Sequence, residues 1–203
     1  QRWNDHIRPP QGFTELDKQA HKMIFAYVLG KFEEDSGSGL EFDWIRLIEG
    51  GLFEFLHRIK LTDIKPPLFH KIMEEKGPEI NRWVLEQYRE PLGQVNSRLY
   101  ARFEAYLTDD DYSSAEKQIL KASHYLATQW EFTHVYRLNQ GLYGLENERQ
   151  SIEGRLKEHG SLAGVRNLAV DTNIRNFMDL VGQLRFQQRW GHSPRIPQTS
   201  VLG

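Results

Sequence analysis

Apolar residues recur along this chain at the three- and four-residue spacing of amphipathic helices. The first such run consists of Leu16, Ala20, Ile24, Val28 and Phe32. This spacing predicts a first helix from Thr14 to about Glu34. Thr14 has the residue type of a helix N-cap, and the acidic residues Glu15 and Asp17 follow it, where the helix dipole favours negative charge. The pattern therefore predicts both the helix and the residue at which it begins.

The same spacing predicts further helices along the rest of the chain. They cover residues 42–59, 68–75, 78–106 with a bend near Pro91, 113–138, 146–158 and 173–188. Pro66 and Pro67 are assigned to a loop because a proline pair cannot lie inside a regular helix. Residues 193–197 are predicted to be an extended tail. No segment alternates with the period of two that strands require, so the expected fold is an all-α helical bundle with short loops.

Length and composition agree with a single globular domain. The chain has 203 residues, which is enough to bury a sizeable core. We place that core at about 14–138, with C-terminal helices and the tail at 146–203. Since the chain begins with Gln1 and not with methionine, we expect further residues before it.

The charge and residue content exclude several classes of function. There is no cysteine, which removes disulfides, thiol catalysis and thiolate metal sites. The formal net charge of -2 gives no general attraction to nucleic acid or to anionic membranes. No apolar run approaches the roughly 18–20 residues of a membrane span. We therefore expect a cytoplasmic protein without a membrane or nucleic-acid partner.

Three polar residues interrupt otherwise apolar helical stretches. They are His21, Glu54 and His124, and each also fits a structural role as a core or boundary residue. Glu54 lies in the most hydrophobic stretch of the chain, and a buried carboxylate needs partners. Two histidines can provide such partners, so these three residues are the leading candidates for a site.

These residues, taken in order, resemble the landmarks of the HD-domain phosphohydrolases, and in particular their bacterial 5′-deoxynucleotidase-like branch. The resemblance covers about residues 2–135. Arg2-Trp3 is similar to the branch's pair that faces the nucleotide phosphate and sugar, and His21 to its first metal-binding histidine. Three further positions match family landmarks: Glu54-Phe55 at the His-Asp dyad, Asp63 at an active-site aspartate that orients or activates water, and His124 at the last aspartate ligand.

The resemblance implies a metal site with altered ligands. The family holds its divalent cation with two histidines and two aspartates, whereas Phe55 cannot coordinate a metal. His21, Glu54 and His124 would form a set of two histidines and one carboxylate, which suits Zn, Mn, Ni, Co or Fe. Alternatively, Glu54 accepts a charge-assisted hydrogen bond from one protonated imidazole in a cluster without metal.

Three functions follow as expectations. The first is a metal-dependent phosphohydrolase acting on a nucleoside monophosphate or a related phosphomonoester. The second is a catalytically inactive HD-fold module that binds a nucleotide or another phosphorylated ligand. The third is a structural subunit whose aromatic C-terminal segment contacts a partner, and this segment together with the resemblance suggests a homodimer. The segment's basic and aromatic residues are Arg185, Arg189, Trp190, His192 and Arg195.

Overall fold

The computed structural model describes most of the chain. The described residues are 2, 3, 6, 13–37, 39–61, 64, 66–189, 192 and 199–203, with the backbone alone at 66 and 67. The predicted extended tail at 193–197 lies outside these residues.

The all-α prediction is confirmed, since 78% of the structure is helical. Within the described ranges there are eight α-helices and no strand. The helices are α1 Glu15–Ser36, α2 Trp44–Lys60, α3 Pro66–Val95, α4 Ser97–Thr108, α5 Ser114–Leu138, α6 Leu145–Lys157, α7 Ala163–Val170 and α8 Thr172–Gln183. A short 3₁₀ helix, Leu184–Phe186, follows α8. None of the described helices is both long and apolar enough to cross a membrane.

The chain forms two compact units. Unit 1 combines residues 1–41 with 118–203, and unit 2 consists of residues 42–117. The predicted core at 14–138 includes residues of both units, and the single-domain organisation stays a prediction. The C-terminal helices α6, α7 and α8 belong to the same unit as α1, although they are far from it in sequence.

Unit 1 is organised around α1. This helix begins as predicted, because Thr14 Oγ1 accepts a hydrogen bond from the backbone amide of Asp17 at 3.1 Å. Leu29 is completely buried where α7 crosses α1. A Cβ atom added at Gly164 of α7 would lie 2.6 Å from Leu29 Cδ2, so this crossing requires glycine.

Unit 2 is built from α2, α3 and α4. Asp43 caps α2 by accepting a hydrogen bond from the amide of Arg46 at 2.8 Å. Phe53 of α2 is buried against Phe103 of α4, with ring centroids 5.1 Å apart. Tyr88 joins α3 to α2, because its hydroxyl donates a hydrogen bond to Leu56 O at 3.0 Å.

The structure corrects several predicted boundaries. Pro66 is not in a loop but is the first residue of α3, a position where proline is tolerated since its missing N–H has no intrahelical partner there. The helix continues through Pro91 and ends only before Asn96, which caps α4. The predicted break between residues 75 and 78 is confirmed as a kink at Lys76, where φ is -133°. The prediction also missed α7, and it merged α8 with the 3₁₀ helix that follows.

Candidate functional site

The predicted phosphate- and sugar-binding pair, Arg2 and Trp3, folds back onto α5. The Arg2 amide donates to Phe13 O at 2.7 Å. Arg2 Nε and Trp3 Nε1 both donate to Glu131 Oε2, each at 2.8 Å. Trp3 adopts a φ of 60°, a left-handed conformation that costs energy for a residue other than glycine. The hydrogen bonds to Glu131 hold this strained turn in place.

Glu131 is the centre of a buried charged cluster in unit 1. Its side chain is fully buried, and its second oxygen, Oε1, accepts a hydrogen bond from Arg185 Nη1 at 2.8 Å. Burial alone would raise the pKa of Glu131, but the positive charges of Arg2, Lys18 and Arg185 hold that pKa below its ordinary value. Glu131 therefore carries a negative charge inside the protein.

Two aromatic rings, those of Phe13 and Trp130, cover the guanidinium group of Arg185. The Cζ atom lies 4.6 Å from the ring centroid of Trp130 and 4.8 Å from that of Phe13. Arg185 Nε also donates to Gly182 O at 3.0 Å. These contacts favour a buried cation, because the ring faces and the carbonyl oxygen replace part of its hydration.

His21 lies in this cluster and uses both ring nitrogens. Nε2 is 3.1 Å from Met178 O, and Nδ1 is 3.2 Å from Arg185 Nη2. A carbonyl requires a donor and a guanidinium requires an acceptor, so the network assigns a neutral ring with its proton on Nε2. Burial, reinforced by the charge of Arg185, lowers the pKa of His21 to about 4. A metal ion would have to displace one of these two partners.

His124 lies on α5 and contacts a buried lysine. Its Nε2 is 3.3 Å from Lys18 Nζ of α1. The imidazole belongs to an exposed residue, whereas Lys18 is only 4% exposed. Burial, with a further contribution from Arg2, holds the pKa of Lys18 well below its ordinary value. Lys18 was not among the residues selected from the sequence.

Glu54 belongs to unit 2, where it is half-buried on α2. Its Oε1 accepts a hydrogen bond from the Tyr106 hydroxyl at 2.7 Å. Burial and the Glu54 carboxylate both raise the pKa of Tyr106, so the phenol stays protonated and acts as the donor. In this contact Glu54 serves as the acceptor for a buried hydroxyl of its own unit.

The predicted metal ligands do not form a recognisable metal site in the described structure. Among the described residues, no group of three or more histidine, aspartate or glutamate side chains is arranged to hold a metal ion. His21 does not fit the role of a ligand as it stands, since both of its nitrogens are engaged. Asp63, the predicted catalytic residue, lies outside the described residues. The metal set and its metal-free alternative stay predictions.

An apolar groove of about 380 Å³ lies between α1 and α8 in unit 1. Its walls are formed mainly by Tyr27, Phe32, Ile174 and Phe177. None of the residues predicted from the sequence to form a site lines it. The groove and the charged cluster are therefore separate features of unit 1.

Comparison with known proteins finds no family model, no curated protein and no solved structure that matches this chain. The resemblance to HD-domain phosphohydrolases stays a prediction from the residues quoted above.

Sequence reasoning missed the two residues that organise the cluster. Glu131 follows His124 by two helical turns, within a stretch of α5 that also contains Trp130 and Phe132. A carboxylate in such an apolar environment is the same signal that selected Glu54. Arg185 was assigned to a helix end, and nothing in its neighbourhood predicted a partner 54 residues earlier.

Proposed function

We propose that unit 1 binds a small phosphorylated ligand of the nucleoside monophosphate class, at the surface formed by Lys18, His124 and the Arg2–Trp3 arm. The function is that of a binding module, the second of the three expectations. A binding module does not depend on a metal ion. It therefore agrees with the finding that both ring nitrogens of His21 already have hydrogen-bond partners.

The observation that carries this proposal is that Lys18 is buried without a carboxylate ion-pair partner among the described residues. Its Nζ is buried and is hydrogen-bonded to a neutral type of acceptor, the His124 imidazole. Among the described residues, no carboxylate forms an ion pair with Lys18 within 4.0 Å. Buried ammonium groups normally have an anionic partner because the charge is costly to desolvate. A phosphate group would supply that partner.

The charges around Lys18 favour an anionic ligand. The positive charges of Arg2, Lys18 and Arg185 lower the pKa of Glu131. Glu15 is a second carboxylate in this region, and its Oε2 lies 2.7 Å from Arg2 Nη1. Lys18 itself is not counted because its pKa is lowered, and Lys22 is counted because it acts on Lys18. On that basis three cations, Arg2, Lys22 and Arg185, lie near two carboxylates, Glu15 and Glu131. A bound phosphate would balance this excess of positive charge and raise the pKa of Lys18 toward its ordinary value, so binding would be accompanied by proton uptake.

Access and ligand shape are consistent with the predicted roles of the arm. His124 is exposed and contacts Lys18 Nζ, so a ligand would reach the buried lysine by displacing the imidazole. Arg2 has the side chain best suited to bidentate contacts with phosphate oxygens. Its present partners Glu15 and Glu131 would share it with the ligand. Trp3 lies beside it, half-buried and packed on Phe132 with ring centroids 5.7 Å apart, so a sugar would contact only the exposed part of its ring.

The test is a thermal-shift and calorimetric titration of the whole chain. The ligands are nucleoside 5′-monophosphates, the matching nucleosides and inorganic phosphate. We expect the phosphorylated ligands alone to stabilise the wild type, and Lys18→Met to abolish that effect. Lys31→Met is the matched control, because Lys31 is exposed on the same helix and pairs with Glu34. Absence of stabilisation by every phosphorylated ligand would refute the proposal.

Proton uptake and metal content separate the binding module from the hydrolase. Calorimetry in two buffers with different ionisation enthalpies should show net proton uptake on binding. Elemental analysis of protein purified without added metal tests the predicted ligands. Stoichiometric metal that is lost in His21→Ala, together with phosphate release in the presence of Mn²⁺ or Co²⁺, would favour the hydrolase over the module.

A further inference from the structure

The α2 helix of unit 2 presents a continuous apolar stripe to solvent. Its members are Ile45, Ile48, Leu52, Phe55 and Ile59. Four of them are large exposed side chains: Ile45 at 66%, Ile48 at 60%, Ile59 at 46% and Leu52 at 43%. The opposite face of α2 is already buried, through Leu47, Gly50, Gly51 and Phe53. The exposed stripe is therefore not the face that attaches α2 to its own unit.

The spacing within this stripe is that of a helix–helix seam. Successive members are separated by three, four, three and four residues. This alternation is the a/d pattern of a coiled coil, which is narrower than the stripe of a helix that packs on a globular core. Isoleucine occupies three of the five positions. The stripe thus has the form of a surface that receives another helix.

Charges at the two ends of α2 are opposite in sign. Glu41 and Asp43 precede the helix, with Arg46 in its first turn, and Arg58 and Lys60 lie in its last turn. His57 is also in the last turn, but burial lowers its pKa, so it is not counted as a charge. An antiparallel copy of the same helix would place its basic end beside the acidic end of the first, and the reverse at the other end. The helix dipoles would also be opposed favourably. The surface is therefore complementary to itself.

We propose that this chain forms a homodimer through antiparallel packing of α2 against α2 of a second copy. Such a pair is isologous, with a two-fold axis that relates identical surfaces. Leu52 is seven residues from both Ile45 and Ile59, so the axis passes beside Leu52. The dimer places Leu52 against Leu52 of the other copy, and Ile45 against Ile59 of the other copy.

Cysteine cross-linking tests this arrangement directly, because the natural chain contains no cysteine. Under mild oxidation, Leu52→Cys should form a disulfide-linked dimer. Ile45→Cys should stay monomeric on a non-reducing gel, because in the antiparallel pair the two Ile45 positions are about 21 Å apart along the axis. The double variant Ile45→Cys/Ile59→Cys should cross-link. Efficient cross-linking of Ile45→Cys alone would overturn the antiparallel arrangement.

Sedimentation equilibrium of the whole chain provides the second readout. Leu52→Glu should raise the dimer dissociation constant by a factor of about 30 or more, since it places two like charges at the centre of the interface. Val95→Glu is the matched control, because Val95 is a 79% exposed apolar residue of the same unit that lies outside the stripe. A wild type that is monomeric at all concentrations, or a dimer unaffected by Leu52→Glu, would overturn the proposal.

This outcome is independent of the ligand proposal. Lys18→Met changes unit 1 and should leave the dissociation constant of the dimer unchanged. Leu52→Glu changes unit 2 and should leave the nucleotide-induced thermal shift unchanged. Failure of either proposal can therefore be distinguished from failure of the other.

Discussion

Arg185 and Glu131 form an ion pair in which both side chains are completely withdrawn from solvent, with Nη1 and Oε1 2.8 Å apart. The two residues come from the 3₁₀ helix after α8 and from α5, so the pair joins distant segments of unit 1. Burial of both charges is costly, and the geometry offsets that cost only while every donor and acceptor is matched.

Removal of one partner should therefore be strongly destabilising. We expect Glu131→Gln to lower the free energy of unfolding by about 3–5 kcal/mol, since it leaves Arg185 and Arg2 without their shared carboxylate. Chemical denaturation monitored by circular dichroism measures this loss. Glu146→Gln is the control, because Glu146 pairs with Arg149 on the surface, and it should have little effect. Equal losses in the two variants would contradict the central role of Glu131.

The second prediction concerns the packing of Gly182 in α8. A Cβ atom at this position would lie 2.6 Å from the Trp130 ring and 2.9 Å from His21 Cε1. Gly182→Ala should therefore destabilise the protein by about 1–3 kcal/mol. Gly154→Ala in α6 should stabilise it by about 0.5–1 kcal/mol, because a Cβ there meets no atom within 4 Å. Thermal melts of the two variants should shift in opposite directions.

The low pKa of His21 predicts a specific dependence of stability on pH. The ring has a pKa of about 4 in the folded protein and an ordinary value of 6.5 in the unfolded chain. Between these values the unfolded chain binds more protons, so stability rises with pH, and above 6.5 the full contribution is present. It is lost as the pH falls toward 4, and amounts to about 3 kcal/mol.

The corresponding measurement compares wild type with His21→Asn from pH 4 to pH 7. The difference in unfolding free energy between the two proteins isolates His21 from the other titrating groups. We expect the wild type to lose more stability than the variant on acidification. Parallel pH profiles would show that the pKa of His21 is not depressed in the folded state.

The buried amine of Lys18 is expected to lower the stability of the protein while being required for ligand binding. Lys18→Met replaces a buried amine with an apolar side chain of similar length, and we expect it to increase the unfolding free energy at pH 7 by about 1 kcal/mol or more. The same variant should lose the stabilisation by nucleoside monophosphates. The wild type should gain stability relative to the variant as the pH rises toward 10.5, because the folded amine deprotonates at a lower pH than the unfolded one. A variant that is less stable than wild type at pH 7 would indicate that the buried amine of Lys18 is already stabilised within the protein and does not need an external anion.

The sequence predicted local features of this fold well and distant contacts poorly. The Thr14 cap and the end of α5 at Leu138 follow from local periodicity and capping chemistry, and the structure places them where they were expected. The break at Asn96 was misplaced to Pro91. The sequence alone does not distinguish a proline that begins a helix, as Pro66 does, from a proline that lies deep inside a helix, as Pro91 does.

In the candidate site too, contacts between residues far apart in the sequence were not predicted. His21 and Arg2 were selected for their residue types and positions, and both lie in the charged cluster of unit 1. Their shared partner Glu131 was not selected, because it is 129 residues from Arg2 and no periodic pattern links the two. Glu54 was grouped with the histidines because it interrupts an apolar stretch and matches a landmark of the HD-domain family, whereas the structure assigns it to the other compact unit.

The split composition of unit 1 has a consequence for synthesis of the chain on the ribosome. Its first helix is translated before residues 42–117, whereas residues 118–138 of α5 and the helices α6 to α8 are translated only after them. At about 5–20 residues per second this delay lasts on the order of 4–15 seconds. Throughout that interval Leu29 lacks its contact with α7, and His21 lacks its contacts with Met178 and Arg185, while unit 2 is already complete and free to fold. The nascent chain should therefore be a substrate for chaperones that shield a single amphipathic helix until translation passes α8.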